Sequence, residues 1–371
     1  MFKLLAQDGK ARRGRLQLKH GVVETPIFMP VGTVGSVKTL VPEDLKTLKA
    51  SIILGNTYHL FLRPGLEVIR HFGGLHKFIG WDRPILTDSG GFQIFSLAKN
   101  TKLTEEGALF SSHIDGSRFM LTPELSVQIQ ETLGSDIHMT LDECTPYPVT
   151  VELARASMQR SMRWAERCRK AKSKEDLCQF GIVQGGVYPE LRKQSIEQLV
   201  EIGFEGYAVG GLSVGEPKED LNQITKFCCE YLPPEKPRYL MGVGTPLDLL
   251  ESINAGIDMF DCIMPTRNGR NGHLFTSTGP VRMRNLQYRL DDNPLDANCE
   301  CYTCKNFSRG YLRHLYSAGE LTSLRLFSLH NLTYYLNLMD QVRKAIELGV
   351  FQGLLLEIRE KWSEKDSAVK K

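Results

Sequence analysis

No apolar run in this 371-residue chain approaches the roughly 20 residues that a membrane-crossing helix requires, although 42% of the residues are hydrophobic and 24% charged. The opening residues, Met1-Phe2-Lys3-Leu4-Leu5-Ala6-Gln7-Asp8, lack the apolar centre of an export signal. No segment is of low complexity. The glycine-rich Met241-Gly242-Val243-Gly244-Thr245 continues into neither a G-x-G-x-x-G nor a Walker pattern, so it carries little weight as a phosphate loop. No His-x-His pair stands where a barrel hydrolase would hold a catalytic metal. Net charge is only +3, which by itself names no partner. Nine cysteines are an odd number, and those outside one cluster stand singly or as Cys228-Cys229, the usage of a reducing compartment. A cytoplasmic location is expected.

The cluster is Cys299-Glu300-Cys301-Tyr302-Thr303-Cys304. Three thiols in six residues pair poorly as disulfides, because neighbours are too close and one is left over. They converge easily on one metal. With a distant imidazole they form a closed Cys3His set, the arrangement of structural zinc, with no position open for substrate. The bland alternative is a metal-free surface cysteine cluster. Spacing does not decide between His314 and His330. The amphipathic run Leu324-Arg325-Leu326-Phe327-Ser328-Leu329-His330 favours His330, since a helix there could swing an imidazole back onto the thiols.

The same stretch concentrates positive charge. Between Cys262 and Ser317, Arg267, Arg270, Arg282, Arg284, Arg289, Lys305, Arg309 and Arg313 stand against Asp291, Asp292, Asp296 and Glu300. Arginine forks suit phosphates and base edges better than lysine point charges do. A solvated basic face is the competing reading. Zinc within the same stretch favours nucleic acid.

The middle of the chain repeats one grammar: a short apolar run, a Gly or polar residue, then a helix opened by Pro. Val41-Pro42, Thr122-Pro123, Tyr188-Pro189, Glu216-Pro217 and Thr245-Pro246 open such helices. The runs at 51–54, 84–87, 137–141, 180–183, 206–209, 239–242 and 257–260 look like buried parallel strands. Pro26-Ile27-Phe28-Met29 supplies an eighth. The expected fold is α/β, a (β/α)8 TIM barrel with an N-terminal β region over residues 1–25. A doubly wound open sheet is the alternative. Residues 1–371 are expected to form a single barrel domain carrying a zinc-binding subdomain at about 271–335. A final helix is expected around Tyr334–Glu360, with a frayed tail after Lys361.

Barrel active sites are built from the C-terminal ends of the strands. Those ends read Thr87-Asp88-Ser89-Gly90-Gly91-Phe92-Gln93, Asp142-Glu143-Cys144, Gln184-Gly185-Gly186, Gly210-Gly211-Leu212, Gly242-Val243-Gly244 and Asp261-Cys262. Asp88, Asp142 and Asp261 thus face one mouth. Any one of them alone would read as a cap or turn residue. Three together, beside bare glycine backbone and a carboxamide, fit a flat purine-like base. Paired carboxylates also suit glycosidic chemistry, one as nucleophile and one moving the leaving group's proton. His138, inside a strand, is expected to be buried and hydrogen-bonded, and His59 structural.

With these motifs, and with Pro265-Thr266-Arg267-Asn268-Gly269-Arg270-Asn271-Gly272, the chain resembles the bacterial-type tRNA-guanine transglycosylases of the queuosine pathway. The resemblance runs in order over nearly the whole chain. It implies a zinc-containing TIM barrel that works as a homodimer, and it points to His330 as the fourth ligand beside Cys299, Cys301 and Cys304. Position by position, Asp261 resembles the nucleophile toward the ribose of the wobble guanosine, and Asp88 the general acid/base. Asp142, Gln184 and the Gly211 amide resemble the groups that read the guanine edge, with Phe92 and Met241 across its faces. Ser89, Cys144 and Leu212 complete the base-binding set. Leu212, Val214 and Glu216 look like the lining for a substituent at position 7. Arg267 and Arg270 resemble the arginines that grip the flanking uridines.

What the resemblance implies is an exchange of the wobble guanine of tRNAs with GUN anticodons (Asp, Asn, His, Tyr). The incoming base would be 7-aminomethyl-7-deazaguanine, and the anticodon stem-loop would be the RNA held. Cys144 and Val214 leave little room for a larger group, although some relatives accept queuine. The alternatives are a salvage enzyme that inserts queuine directly and a non-catalytic RNA-binding subunit. Such a subunit would be expected to lack acids of the ring, and Asp88 and Asp261 are both present.

Overall fold

The computed structural model describes residues 2–97 and 101–369. Short strands buried on both faces build its centre. They are Ile27–Met29, Val31–Gly32, Ile53–Gly55, Ile85–Thr87, Ile137–Met139, Cys178–Val183, Gly206–Val209, Arg238–Leu240 and Met259–Asp261. Every pairing among them is parallel, and Met259–Asp261 pairs back onto Ile27–Met29. The first two runs are one segment interrupted by Pro30, so the sheet closes into an eight-station barrel and the open-sheet alternative falls.

Local chemistry sets the helices between the strands. Thr122 caps Pro123–Leu133 by accepting the Leu125 N–H at 3.1 Å, and Gly134 ends that helix at φ 73°. Thr245 and Asp248 form a reciprocal capping box at the start of Pro246–Ala255. At Lys218–Tyr231 the proline stands one place earlier than the common grammar, as the cap itself.

The barrel interior is packed by Ile27, Met29, Leu54, Leu86, Ile137, Met139, Phe180, Ile182, Ala208, Tyr239 and Met259, and Leu16, Leu18 and Val23 join that cluster from below. These last three belong to an antiparallel sheet, Phe2–Asp8, Ala11–Leu18 and Gly21–Thr25, that floors the barrel. Asp136 pins it there: the buried carboxylate accepts the His20 backbone N–H at 2.9 Å, lies 2.9 Å from His20 Nδ1, and accepts the Ile85 N–H at 2.9 Å. Arg12 reaches Asp258 at 3.3 Å on the same side.

Three features differ from the sequence expectations. A small antiparallel sheet, Lys102–Leu103, Ala108–Ser111 and Arg118–Leu121, intervenes before Pro123–Leu133. The final helix is two, Leu321–Glu347 and Phe351–Val369, broken where Gly349 takes φ 69°. The second runs beyond Lys361, where a frayed tail was expected; Lys370 and Lys371 lie outside the described residues. Among the described residues no helix is long and apolar enough to cross a membrane.

Candidate active site and metal centre

Asp88 follows the strand Ile85–Thr87 and is 8% exposed. Its carboxylate accepts a bond from Asn56 Nδ2 and another from the Thr57 N–H at 2.7 Å. Burial pushes its pKa up to about 6 against the pull of these donors and of Gln93, and the neighbouring Asp261 adds to the rise. Among the described residues no ion pair forms with Asp88, and the raised carboxyl is poised to give or take a proton near neutrality.

Asp261 ends its strand. Tyr239 Oη donates to Oδ1 at 2.5 Å and the Gly242 N–H to the same oxygen at 2.8 Å. Burial raises this carboxyl also. Both bonds fix Oδ1, so the orientation of the carboxylate is set while Oδ2 stays available to an electrophile.

Asp142, half-buried, takes a bond from Gln184 Nε2 at 2.6 Å and a longer one from Ser89 Oγ at 3.3 Å. Burial pushes it up to about 6. Gln184 lies flat against the next strand end. A Cβ at Gly211, where φ is +64°, would stand 2.3 Å from Gln184 Oε1, so only glycine fits. Asp142, Gln184, Ser89 and the Gly210-Gly211 backbone therefore line one polar slot.

Around it, Cys144 and Leu212 are buried, and burial pushes the Cys144 thiol up to about 12, leaving it a neutral wall. Met241 is half-buried and Phe92 is 50% exposed on the first turn of Gly91–Leu97. Glu216 is turned back onto its own loop, accepting the N–H groups of Ser213 and Val214. On Met264–Arg270, Arg267 is exposed and Arg270 half-buried with Nη1 lacking a partner. Burial, then Arg267, lowers the Arg270 pKa, as expected of two cations waiting for an anion. His59 is half-buried against the His113 ring. His138 is fully buried, as expected, and burial holds its pKa down at about 4, so it stays neutral.

Cys299, Cys301, Cys304 and His330 meet within 4.8 Å of one another. His330 Nδ1 lies 3.7, 3.6 and 3.3 Å from the three sulfurs in that order. Its other nitrogen, Nε2, is 2.8 Å from the Phe275 carbonyl. That bond makes Nε2 the donor and leaves the Nδ1 lone pair for a metal. The donor set and the fixed tautomer fit a metal ion, while His314 is exposed on Arg309–Ser317. Next to the cluster, Asn331 Nδ2 donates to the Pro265 carbonyl at 2.9 Å, at the start of the arginine-bearing helix. Asn331, the residue after His330, thus ties the Cys3His cluster to the helix that carries Arg267 and Arg270.

The sequence reading missed Asn56, Thr57 and Tyr239. Asn56 and Thr57 follow the strand Ile53–Gly55, so the strand-end rule that found Asp88 would have found them. Tyr239 faces the barrel interior and reads as core; no local signal marks it.

Comparison with known proteins gives one answer. Residues 7–364 match the family model for queuine tRNA-ribosyltransferase. A queuine tRNA-ribosyltransferase from Acinetobacter baylyi is 58% identical over 360 residues, covering 96% of this chain and 93% of the relative. One from Francisella tularensis subsp. novicida is 57% identical over 350 residues, covering 94% and 95%.

Proposed function

The chain belongs to the queuine tRNA-ribosyltransferase family, and from that premise we propose that it exchanges a guanine of tRNA for a 7-deazaguanine by double displacement. The observation that supports this most directly is the arrangement at Asp261: a half-buried carboxylate whose Oδ1 is held by Tyr239 and Gly242, which leaves Oδ2 to an electrophile. Oδ2 attacks the ribose C1′ as the C1′–N9 bond breaks, and an ester-like enzyme–RNA bond forms. Asp88 gives its proton to the departing guanine. It then takes a proton from the incoming base, whose nitrogen displaces Asp261 from C1′. The chain is thus a pentosyltransferase.

Guanine offers N–H donors on one edge and the O6 and N7 acceptors on the other. Asp142 accepts from the first edge; Gln184 and the Gly211 amide donate to the second. Ser89 helps orient Asp142. Phe92 and Met241 close over the base faces, and Cys144 and Leu212 wall the slot. The target nucleotide leaves its loop stack at a cost of a few kcal/mol. Arg267 and Arg270 hold its neighbours, the usual mode for single-stranded RNA. The substrates proposed are the tRNAs with GUN anticodons, modified at the wobble position in queuosine biosynthesis.

Cys144 and Val214 favour 7-aminomethyl-7-deazaguanine as the incoming base; the relatives' name points instead to queuine. Zinc is proposed at the Cys3His centre, where all four ligands come from the chain and its role is to hold the surface around 271–335. A homodimer and a cytoplasmic location complete the proposal.

The test is exchange of radiolabelled guanine into unfractionated tRNA, with label mapped to the anticodon, followed by competition with each 7-deazaguanine. No label in the anticodon sinks the proposal. Preferred uptake of queuine overturns the assignment of the base alone. Metal analysis of the purified chain should return one zinc per chain.

A further inference from the structure

The helix Pro189–Ile202 sends two fully buried polar side chains, Arg192 and Ser195, toward the ends of two barrel strands. The Arg192 guanidinium donates Nε to the Gly186 carbonyl at 2.8 Å, and Nη1 to both Val183 and Gly210 at 2.7 Å. All three bonds end on main-chain carbonyls, and Nη2 is buried without a partner. One helical turn on, Ser195 Oγ accepts the Gln184 N–H at 3.1 Å and donates to Met162 Sδ at 3.5 Å.

Burying a guanidinium without a carboxylate is costly, and an aliphatic side chain would fill the same space without that penalty. The bonds are distributed where they matter for the slot. Val183 precedes Gln184, Gly186 follows it by two, and Gly210 precedes Gly211. Val183 also accepts the Gly210 N–H at 3.1 Å, so one carbonyl joins the two strand ends and the guanidinium locks the junction. The Gln184 carboxamide lies directly against the Gly211 backbone, so a shift of either strand end changes the slot between them.

We infer that Arg192, with Ser195, is a positioning residue for base recognition: it fixes the ends of Cys178–Val183 and Gly206–Val209 so that the Gln184 carboxamide and the Gly211 amide lie in register for one planar ligand. This rests on the reading that Asp142, Gln184 and Gly211 hold the base. Arg192 touches neither RNA nor the reacting atoms, so its effect falls on the base and not on the glycosidic step.

Guanine exchange by the full chain tests it, with KM for guanine, KM for tRNA and kcat measured for Arg192→Met, Arg192→Lys, Ser195→Ala and Gln184→Ala, and folding followed by circular dichroism. Misplacement of a binding group by an ångström costs up to about 100-fold. Arg192→Met should therefore raise KM for guanine about 10- to 100-fold, with kcat and KM for tRNA within about 3-fold. Arg192→Lys should recover part of the loss, and Ser195→Ala should show a smaller rise of the same kind. An unchanged KM for guanine in Arg192→Met while Gln184→Ala raises it overturns the inference and keeps the base-site reading. An unchanged KM in Gln184→Ala as well overturns that reading itself. Parallel losses in kcat, tRNA affinity and stability reduce Arg192 to general support and also overturn the inference. Where Arg192→Met fails to fold, the Lys and Ala variants decide, and normal KM for guanine in both counts against the assignment.

Discussion

Both ends of the barrel bury aspartates, and they treat them in opposite ways. At the floor, burial alone would raise Asp136, but bonds from His76, the Ile85 amide and His20 outweigh it and leave the carboxyl below its ordinary value. At the mouth, Asp88 and Asp142 receive comparable numbers of hydrogen bonds, yet burial wins and both rise to about 6. A cationic neighbour is not the whole difference: Asp258, beside Arg12 and Arg238, is also pushed up to about 6 by burial. What separates the ends is use. Asp136 spends both oxygens on backbone and imidazole contacts that attach the N-terminal sheet. Asp88 and Asp142 also use both oxygens, but their partners are groups of the mouth itself, and at Asp261 both bonds fall on Oδ1. Their signs with pH are opposed as well. Asp136 adds stability that is full above about pH 4 and is lost as pH falls through its lowered folded value. Asp88 and Asp142 cost stability when ionised, a cost present above about pH 6 and gone below their ordinary range near 4.

Four measurements break or sharpen that contrast. Asp261→Asn removes the carboxylate proposed as the nucleophile and should lower guanine exchange by about 1,000-fold or more, with no denaturation-resistant tRNA adduct on a gel. An adduct that persists in this variant moves the nucleophile elsewhere. Tyr239→Phe deletes one bond to a charged acceptor, worth about 1.5–3 kcal/mol, so kcat should fall about 10- to 100-fold with KM for tRNA unchanged. In the proposed base site, Asp142 must be ionised to accept the N–H groups of guanine. KM for guanine should therefore rise as pH drops below about 6, by up to about 10-fold per pH unit, and be flat in Asp142→Asn. At the floor, Asp136→Asn should cost about 1–3 kcal/mol in urea unfolding at pH 7, a difference that shrinks in acid, with kcat/KM within about 2-fold of the parent. A catalytic loss there, at full folding, would erase the distinction between the two ends.

Much of this was legible in the sequence because it is local. The Thr122-Pro123 and Thr245-Pro246 openings carry their own caps, and the strand-end rule converts a list of apolar runs into a ring containing Asp88, Asp142 and Asp261. The thiols of Cys299, Cys301 and Cys304 fall within six consecutive residues. What stayed hidden depends on contacts far along the chain. Asp136 and His20 are 116 positions apart, and Tyr239 and Asp261 are 22 apart on neighbouring strands. Tyr239, Arg192 and Ser195 look like ordinary core or helix residues until the barrel brings carbonyls and a carboxylate to them. The Ala108–Ser111 and Arg118–Leu121 hairpin was masked by its short, mixed strands. The break at Gly349 is hidden because the apolar pattern resumes at once with Val350-Phe351.

The contact between Gly211 and Gln184 has an evolutionary consequence. The left-handed backbone at position 211 and the carboxamide beside it both disfavour a side chain there, so stepwise drift at that residue is hindered while Gln184 is retained. Ligand preference here can change only through linked replacements, or through the side chains that bound the far wall. Descendants of this protein are therefore expected to diversify in what the base carries and to inherit unaltered which edge of it is read.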